Sequence, residues 1–360
     1  MTTSTVPGTA ETAPPAGGLV RTHGHLPRFG PTGLFAGGLL LGAGLSALTG
    51  FSIVLTVGYG TVLGTLAVWA ASRGVEGARR ATDRLVTCAV TAAFLLATIP
   101  LISLVWTVLS RGLHRLDAEF FSSSMLGVVG EGGGAYHAIL GTLIITGLTT
   151  AISVPIGLMT AIYLVEYGTG RLKRAITYLV DVMTGIPSIV AGLFAFSLFA
   201  LFFGPGIRLG IMGAIALSVL MVPVVVRSSE EVLKLVPNDL REASYALGVP
   251  KWRTIVKVVL PTSVAGLATA VTLAIARVVG ETAPLLITVG IVNGTNLDPF
   301  SGRMATLPVF AFYQLTQPGF PPEYAIDRAW TAALILIILV MALNVVARLI
   351  SRFFAPKTGR

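Results

Sequence analysis

Two charged residues lie where charge is expensive. Arg277 and Glu281 fall inside an apolar stretch covering residues 260–290, four residues apart. That spacing would put both side chains on one face of a helix. An ionised group within a bilayer almost always faces a cavity or a partner. Either the two pair with each other for structure, or they line a path. An arginine in a low-dielectric path is a transient site for an oxyanion, because its planar fork matches phosphate or carboxylate oxygens. Glu281 would then keep the anion from being held too tightly. Asp181 is a third charge within an apolar stretch, near its basic end, and reads as structural.

A second constellation occupies residues 227–259. Asn238 can cap a helix start. The stretch from Asp239 to Gly248 has helical spacing, with Leu240, Ala243, Ser244 and Leu247 along one face. Gly248 is a natural stop, and Pro250 a natural first residue of a second helix through Trp252, Ile255 and Val258 to Leu260 and Pro261. Two short helices meeting at a Gly-Val-Pro bend could fit a groove on a soluble partner. They could also lie as an amphipathic connector on the lipid surface.

Other chemistries find few residues. The histidines are His23, His25, His114 and His137. None falls mid-span beside a carboxylate or cysteine, so neither a nucleophile with its base nor a metal cluster can be drawn. Cys88 is the single cysteine and forms no internal disulfide; it reads as a packing residue. No Gly, four residues, Gly-Lys-Ser/Thr phosphate-binding loop occurs. The run from Gly132 to Gly134 lacks the lysine and reads as a flexible loop. The chain is therefore expected to bind no cofactor or metal and to be no enzyme.

The elements that must position these residues are membrane helices. Apolar residues make up 54% of the 360 and charged residues 11%, and mean hydropathy is +0.84. A soluble domain averages about 25% charged residues, so lipid is the solvent that fits this chain. A span needs about 20 apolar residues, and eight candidates appear, near 33–50, 52–71, 85–110, 138–165, 175–203, 209–226, 260–290 and 329–350. Only a few residues separate the first two, which could instead form one re-entrant or interfacial element. With the N-terminus inside, cytoplasmic segments hold 19 Lys and Arg and outer segments 5. That excess favours eight spans with both ends in the cytoplasm, in the plasma membrane. The net charge of +9 is thus topology rather than a nucleic-acid footprint. Pro100, Pro155, Pro187, Pro223 and Pro284 interrupt the spans among many glycines. Such helices can enclose a path, or pack closely in the ordinary way. Residues 1–32, rich in Thr, Pro, Gly and Ala, read as a disordered tail and not as a signal peptide.

The loop resembles that of binding-protein-dependent ABC importer permeases. There the pattern is Glu-Ala-Ala, three residues, Gly, nine residues, Ile, one residue, Leu-Pro. Here it reads Glu242-Ala243-Ser244, three residues, Gly248, nine residues, Val258, Val259, Leu260-Pro261. Ser244 and Val258 depart from it conservatively. The resemblance implies that residues 238–261 sit in a groove on a separate ATP-hydrolysing subunit, which would use the ATP and rock the helices between inward and outward openings. The stretch from Arg277 to Leu286 is similar to the phosphate-specific PstA permease family, a CysTW-like group. So are Gly185-Ile-Pro-Ser-Ile-Val190, Asn296-Leu-Asp-Pro-Phe300 and Ala305-Thr-Leu-Pro-Val-Phe310. The partner permease of that system usually has Met after Gly-Glu-Thr, where this chain has Ala283-Pro284.

The likeness covers about residues 80–352. It implies an all-α type I permease core of six spans over 85–352; the pair at 33–72 is an addition to the usual six, and a cytoplasmic tail follows at 353–360. It implies a path through Arg277 and Glu281, and inorganic phosphate as substrate. It also implies as partners a second permease (PstC), a pair of ATPase subunits (PstB) and an external phosphate-binding protein (PstS). A permease for sulfate or molybdate, a membrane enzyme and a scaffold are the competing readings.

Overall fold

The computed structural model describes residues 24–27, 29–48, 50 and 52–354. Residues 1–23 and 355–360 of the expected tails lie outside the described residues. All regular structure among those described is helical. Seven helices there are long and apolar enough to cross a membrane, or eight if one bent pair counts as a span.

The chain divides into two units, the first ending at Leu104. The first contains α1 (Gly30–Leu48), α2 (Ile53–Val75) and most of α3 (Ala78–Gly112). α1 and α2 are two separate span-length helices, not one re-entrant element. They pack antiparallel, backbone against backbone: a β-carbon on Gly38 would lie 2.3 Å from Gly64 Cα, and one on Gly42 2.3 Å from Gly60 N. Four glycines thus allow an approach that any larger side chain would prevent.

The turn from α2 into α3 is built on Glu76, which is buried. Its carboxylate accepts from Arg84 Nε at 2.6 Å and Nη2 at 2.9 Å, from Ser72 Oγ at 2.7 Å and from the Leu26 N–H at 3.0 Å. The Arg84 bond first, then the Leu26 amide and the Ser72 hydroxyl, hold the Glu76 carboxyl far below the usual carboxylate range. The expectation of a loose tail through residue 32 is therefore corrected at its end. Residues 24–27 are fastened to this turn, and α1 begins at Gly30.

The second unit begins at Val105. After the end of α3 come α4 (Ala118–Ser122), α5 (Tyr136–Ile162) with a π turn at Tyr163–Tyr167, α6 (Gly170–Thr184), α7 (Ser188–Phe203) and α8 (Gly210–Lys234). Then follow α9 (Asn238–Ala246), α10 (Lys251–Thr254), a second π turn at Ile255–Val259, α11 (Leu260–Val279), α12 (Ala283–Thr288), α13 (Leu307–Thr316) and α14 (Glu323–Phe354). α8 is the central helix: 61% of its most apolar stretch is buried, against 28% for those of α5, α11 and α14. Its Ala214, Leu217, Met221 and Val225 meet Ile145 of α5 and Ala274 and Val278 of α11 in the main core.

Three expectations are corrected here. The stretch 175–203 is not one straight span: α6 and α7 meet at 106°. Pro187 has no N–H to continue a helix, and a residue before proline is driven out of the α region. The stretch 260–290 is likewise broken between α11 and α12, at residues 280–282. The run from Gly132 to Gly134 is not a loose loop. Arg328 Nη1 donates to the carbonyls of Gly130 (2.7 Å) and Gly132 (3.0 Å), and Arg115 Nη2 to that of Gly133 (2.9 Å). Glu119 Oε1 accepts from the Gly133 N–H at 3.0 Å. His137, in the first turn of α5, is buried edge-on against Phe310, with centroids 5.6 Å apart.

Candidate functional site

The loop at the end of α8 is built as a hairpin of helices. Pro237, not Asn238, precedes the first helical residue of α9; Asn238 Oδ1 accepts instead from Arg241 Nη1 at 3.3 Å. At the other end Gly248 adopts φ +74°. Its N–H donates to the Tyr245 carbonyl at 2.9 Å, and the Val249 N–H donates to that of Ser244 at 3.2 Å. This pair of bonds is a Schellman stop, and glycine reaches its left-handed conformation without strain. Ser244, where the family pattern has Ala, is buried, and its Oγ lies 2.8 Å from Thr254 Oγ1. That bond ties the two arms of the bend together.

The second arm does not stop at Leu260 and Pro261. A single helix runs from Lys251 to Val279. The π turn lies just ahead of Pro261, whose ring would otherwise press on the carbonyl of Lys257. Only Ser244 of the expected apolar face is buried. Glu242 and Ala243 are exposed, as are Leu240, Leu247 and Trp252, the last two by 83% and 58%. The loop therefore presents an apolar surface that the chain does not cover.

Two residues unmarked by the sequence reading hold this loop in place. Arg241 donates to Glu166 Oε1 from Nη2 (2.8 Å) and Nε (3.1 Å), and to the carbonyls of Val236 (2.6 Å) and Leu233 (3.1 Å). Glu166 belongs to the π turn that prolongs α5. One guanidinium thus joins α9 to α5 and to the last turn of α8. Beside it, Lys251 Nζ lies 5.1 Å from the Tyr167 ring centroid. An acidic residue near the end of an apolar stretch was the available signal for Glu166; its partner, 75 residues away, was not readable.

Asp181 pairs with Arg227, which also bonds Glu230 at 2.8 Å; Lys234 Nζ reaches Glu230 from the other side at 2.8 Å. This network fastens α6 to α8, the structural part expected of Asp181.

Arg277 and Glu281 are brought close in sequence but not onto one helix face. α11 ends at Val279, Gly280 caps it, and the Glu281 N–H closes a turn on the Val278 carbonyl at 3.2 Å. Pro284 in the first turn of α12 enforces the break, since a continuous helix would drive its ring into the carbonyl of Gly280. Arg277 is exposed and Glu281 half-buried. Among the described residues, neither side chain makes an ion pair or hydrogen bond, so they do not neutralise each other. α12 is wedged against α7 and α8 at two glycines: a β-carbon on Gly192 would be 2.7 Å from Pro284 Cα, and one on Gly213 2.9 Å from Leu285 Cδ2.

A family model for the inner membrane component of binding-protein-dependent transport systems matches residues 153–360. The chain belongs to this family. The permease is 48% identical over 286 residues to the phosphate transport system permease protein PstA 1 of Mycobacterium tuberculosis (strain ATCC 25618 / H37Rv), covering 78% of this chain and 91% of that one. It is 45% identical over 276 residues to PstA of Mycobacterium leprae (76% and 89%), and 37% over 274 residues to PstA of Pasteurella multocida (74% and 94%). Among solved structures, the inward-facing MetNI methionine ABC transporter aligns at TM-score 0.48 and 22% identity, covering 62% of this chain and 95% of that one.

Proposed function

We propose that this permease is the subunit of an ATP-driven importer that conducts inorganic phosphate across the plasma membrane by alternating access. The observation that carries the mechanism is the unbroken helix from Lys251 to Val279. At about 1.5 Å per residue its 29 residues make a rod about 43 Å long. One end is the loop of exposed apolar residues on which an ATPase subunit would press. The other end carries Arg277, two residues before the helix stops. The helix is continuous through its π turn, so displacement at the loop would be carried to the break at Gly280.

Arg277, with no carboxylate spending its charge, would meet the desolvated phosphate, and Glu281 would limit how long it stays. Identity of 37–48% to permeases named for phosphate transport supports the substrate. The partners on this reading are a second permease of the PstC kind, a pair of PstB ATPase subunits supplying ATP hydrolysis, and an external PstS phosphate-binding protein. Both ends of the chain would lie in the cytoplasm. Residues 238–261, with Glu242, Ala243, Ser244, Gly248, Leu260 and Pro261, would carry the coupling.

Uptake of labelled phosphate and of labelled sulfate in cells lacking the gene tests the substrate. Loss of phosphate uptake alone is expected; loss of sulfate uptake alone overturns it. An ATPase subunit should co-purify with the intact chain and be lost when residues 238–261 are replaced by a flexible linker.

A further inference from the structure

Five arginines lie in the segments expected outside: Arg111, Arg115, Arg208, Arg303 and Arg328. Three are occupied. Arg111 stacks on Trp330 at 5.7 Å, and Arg115 and Arg328 hold the carbonyls of residues 130–133. Arg208 and Arg303 have no such employment: among the described residues, neither side chain makes a hydrogen bond or ion pair.

Yet the two converge. A β-carbon on Gly290 would lie 2.8 Å from Arg208 Nη1 and 3.1 Å from its Cδ, and 3.6 Å from Arg303 Cδ. Gly290 has φ +67° and no side chain, so the Arg208 guanidinium can lie across it. The loop's own acid, Asp298, is turned elsewhere: its Oδ1 accepts from the Phe300 N–H at 2.9 Å. The Arg208 guanidinium and the Arg303 side chain thus approach the same glycine, and among the described residues neither is paired with a carboxylate, so an anion would meet unneutralised positive charge there.

Their place gives the anion a use. Arg208 precedes α8 by two residues, at the opposite end of that helix from the coupling loop. Gly290 follows α12, whose six residues, about 9 Å of helix, separate it from the break holding Glu281.

We propose that Arg208 and Arg303 form a receiving site for the phosphate oxyanion at the mouth opposite the coupling loop, from which the anion passes along α12 to Arg277. This rests on the phosphate-importer reading. Bidentate guanidinium–oxyanion bonds suit a ligand handed over by a binding protein, since they capture it without enclosing it.

The test uses the whole complex in proteoliposomes, with the binding protein loaded with labelled inorganic phosphate. Arg208→Gln, Arg303→Gln and the double variant are compared, using only complexes that purify with every subunit. Phosphate moved per ATP hydrolysed should fall about tenfold in the double variant, with Arg208→Lys partly restoring it. The binding-protein concentration that half-maximally stimulates ATP hydrolysis should be unchanged. A rise in that concentration with phosphate per ATP unchanged would mean that the arginines dock the binding protein, and would overturn the proposal. No change in either quantity would overturn it as well. Wild-type complex that moves no phosphate at all would instead sink the parent reading.

Discussion

Replacing Glu166 by Gln tests what holds the loop at residues 238–261. The Glu166 and Arg241 side chains are only 4% and 12% exposed, and two hydrogen bonds join them. Gln keeps the shape and one acceptor oxygen but removes the charge. Arg241 stays buried, still bonded to the carbonyls of Leu233 and Val236 and to Asn238. Breaking a buried pair from one side costs about 3–5 kcal/mol, and the surviving bonds place this case near 3. At about 1.4 kcal/mol per factor of ten, local opening of the loop should become about a hundredfold more frequent. Hydrogen exchange of the amides in residues 238–254, followed by mass spectrometry on the assembled complex, reads that opening. Exchange in α13 should not change. Acceleration of less than about threefold would show that the Ser244–Thr254 bond and the Gly248 stop suffice, and that the ion pair does not fasten the loop.

Arg277→Gln should lower phosphate uptake while the complex still assembles; normal uptake would remove Arg277 from the path. Gly248→Val places a β-branched residue at φ +74°, a strain of about 1–2 kcal/mol. It should uncouple ATP hydrolysis from uptake, and unaltered coupling would refute the bend's role. The Glu76 carboxyl is held low by Arg84, so its contribution to the first unit is complete above its unfolded value of about 4.3 and is lost as pH falls below that toward the folded value. Protease resistance near residues 24–27 should therefore be flat from neutrality down to about pH 5 and fall in stronger acid. In Glu76→Gln that acid-dependent step should be missing; an equal step in both proteins would mean another group is responsible.

Sequence alone determined the class of this protein. Low charge with long apolar runs dictates membrane helices, and helix starts and stops such as Gly248 and Pro250 are local chemistry that survives any tertiary context. The motif spacing from Glu242 to Pro261 picked out the two-helix loop for the same reason: it lies within one short segment. What sequence could not decide was anything set by packing between distant segments. Pro187 and Pro284 mark where the helices must break, but the 106° angle at the first and the seating of α12 after the second depend on how α7, α8 and α12 meet at Gly192 and Gly213. The partner of Glu166 was hidden in the same way, 75 residues off. Arg277 and Glu281 show the division most plainly. Four-residue spacing suggests neighbours on one helix, and that inference holds only while the helix continues. The backbone breaks between them, and the two charges face their surroundings separately.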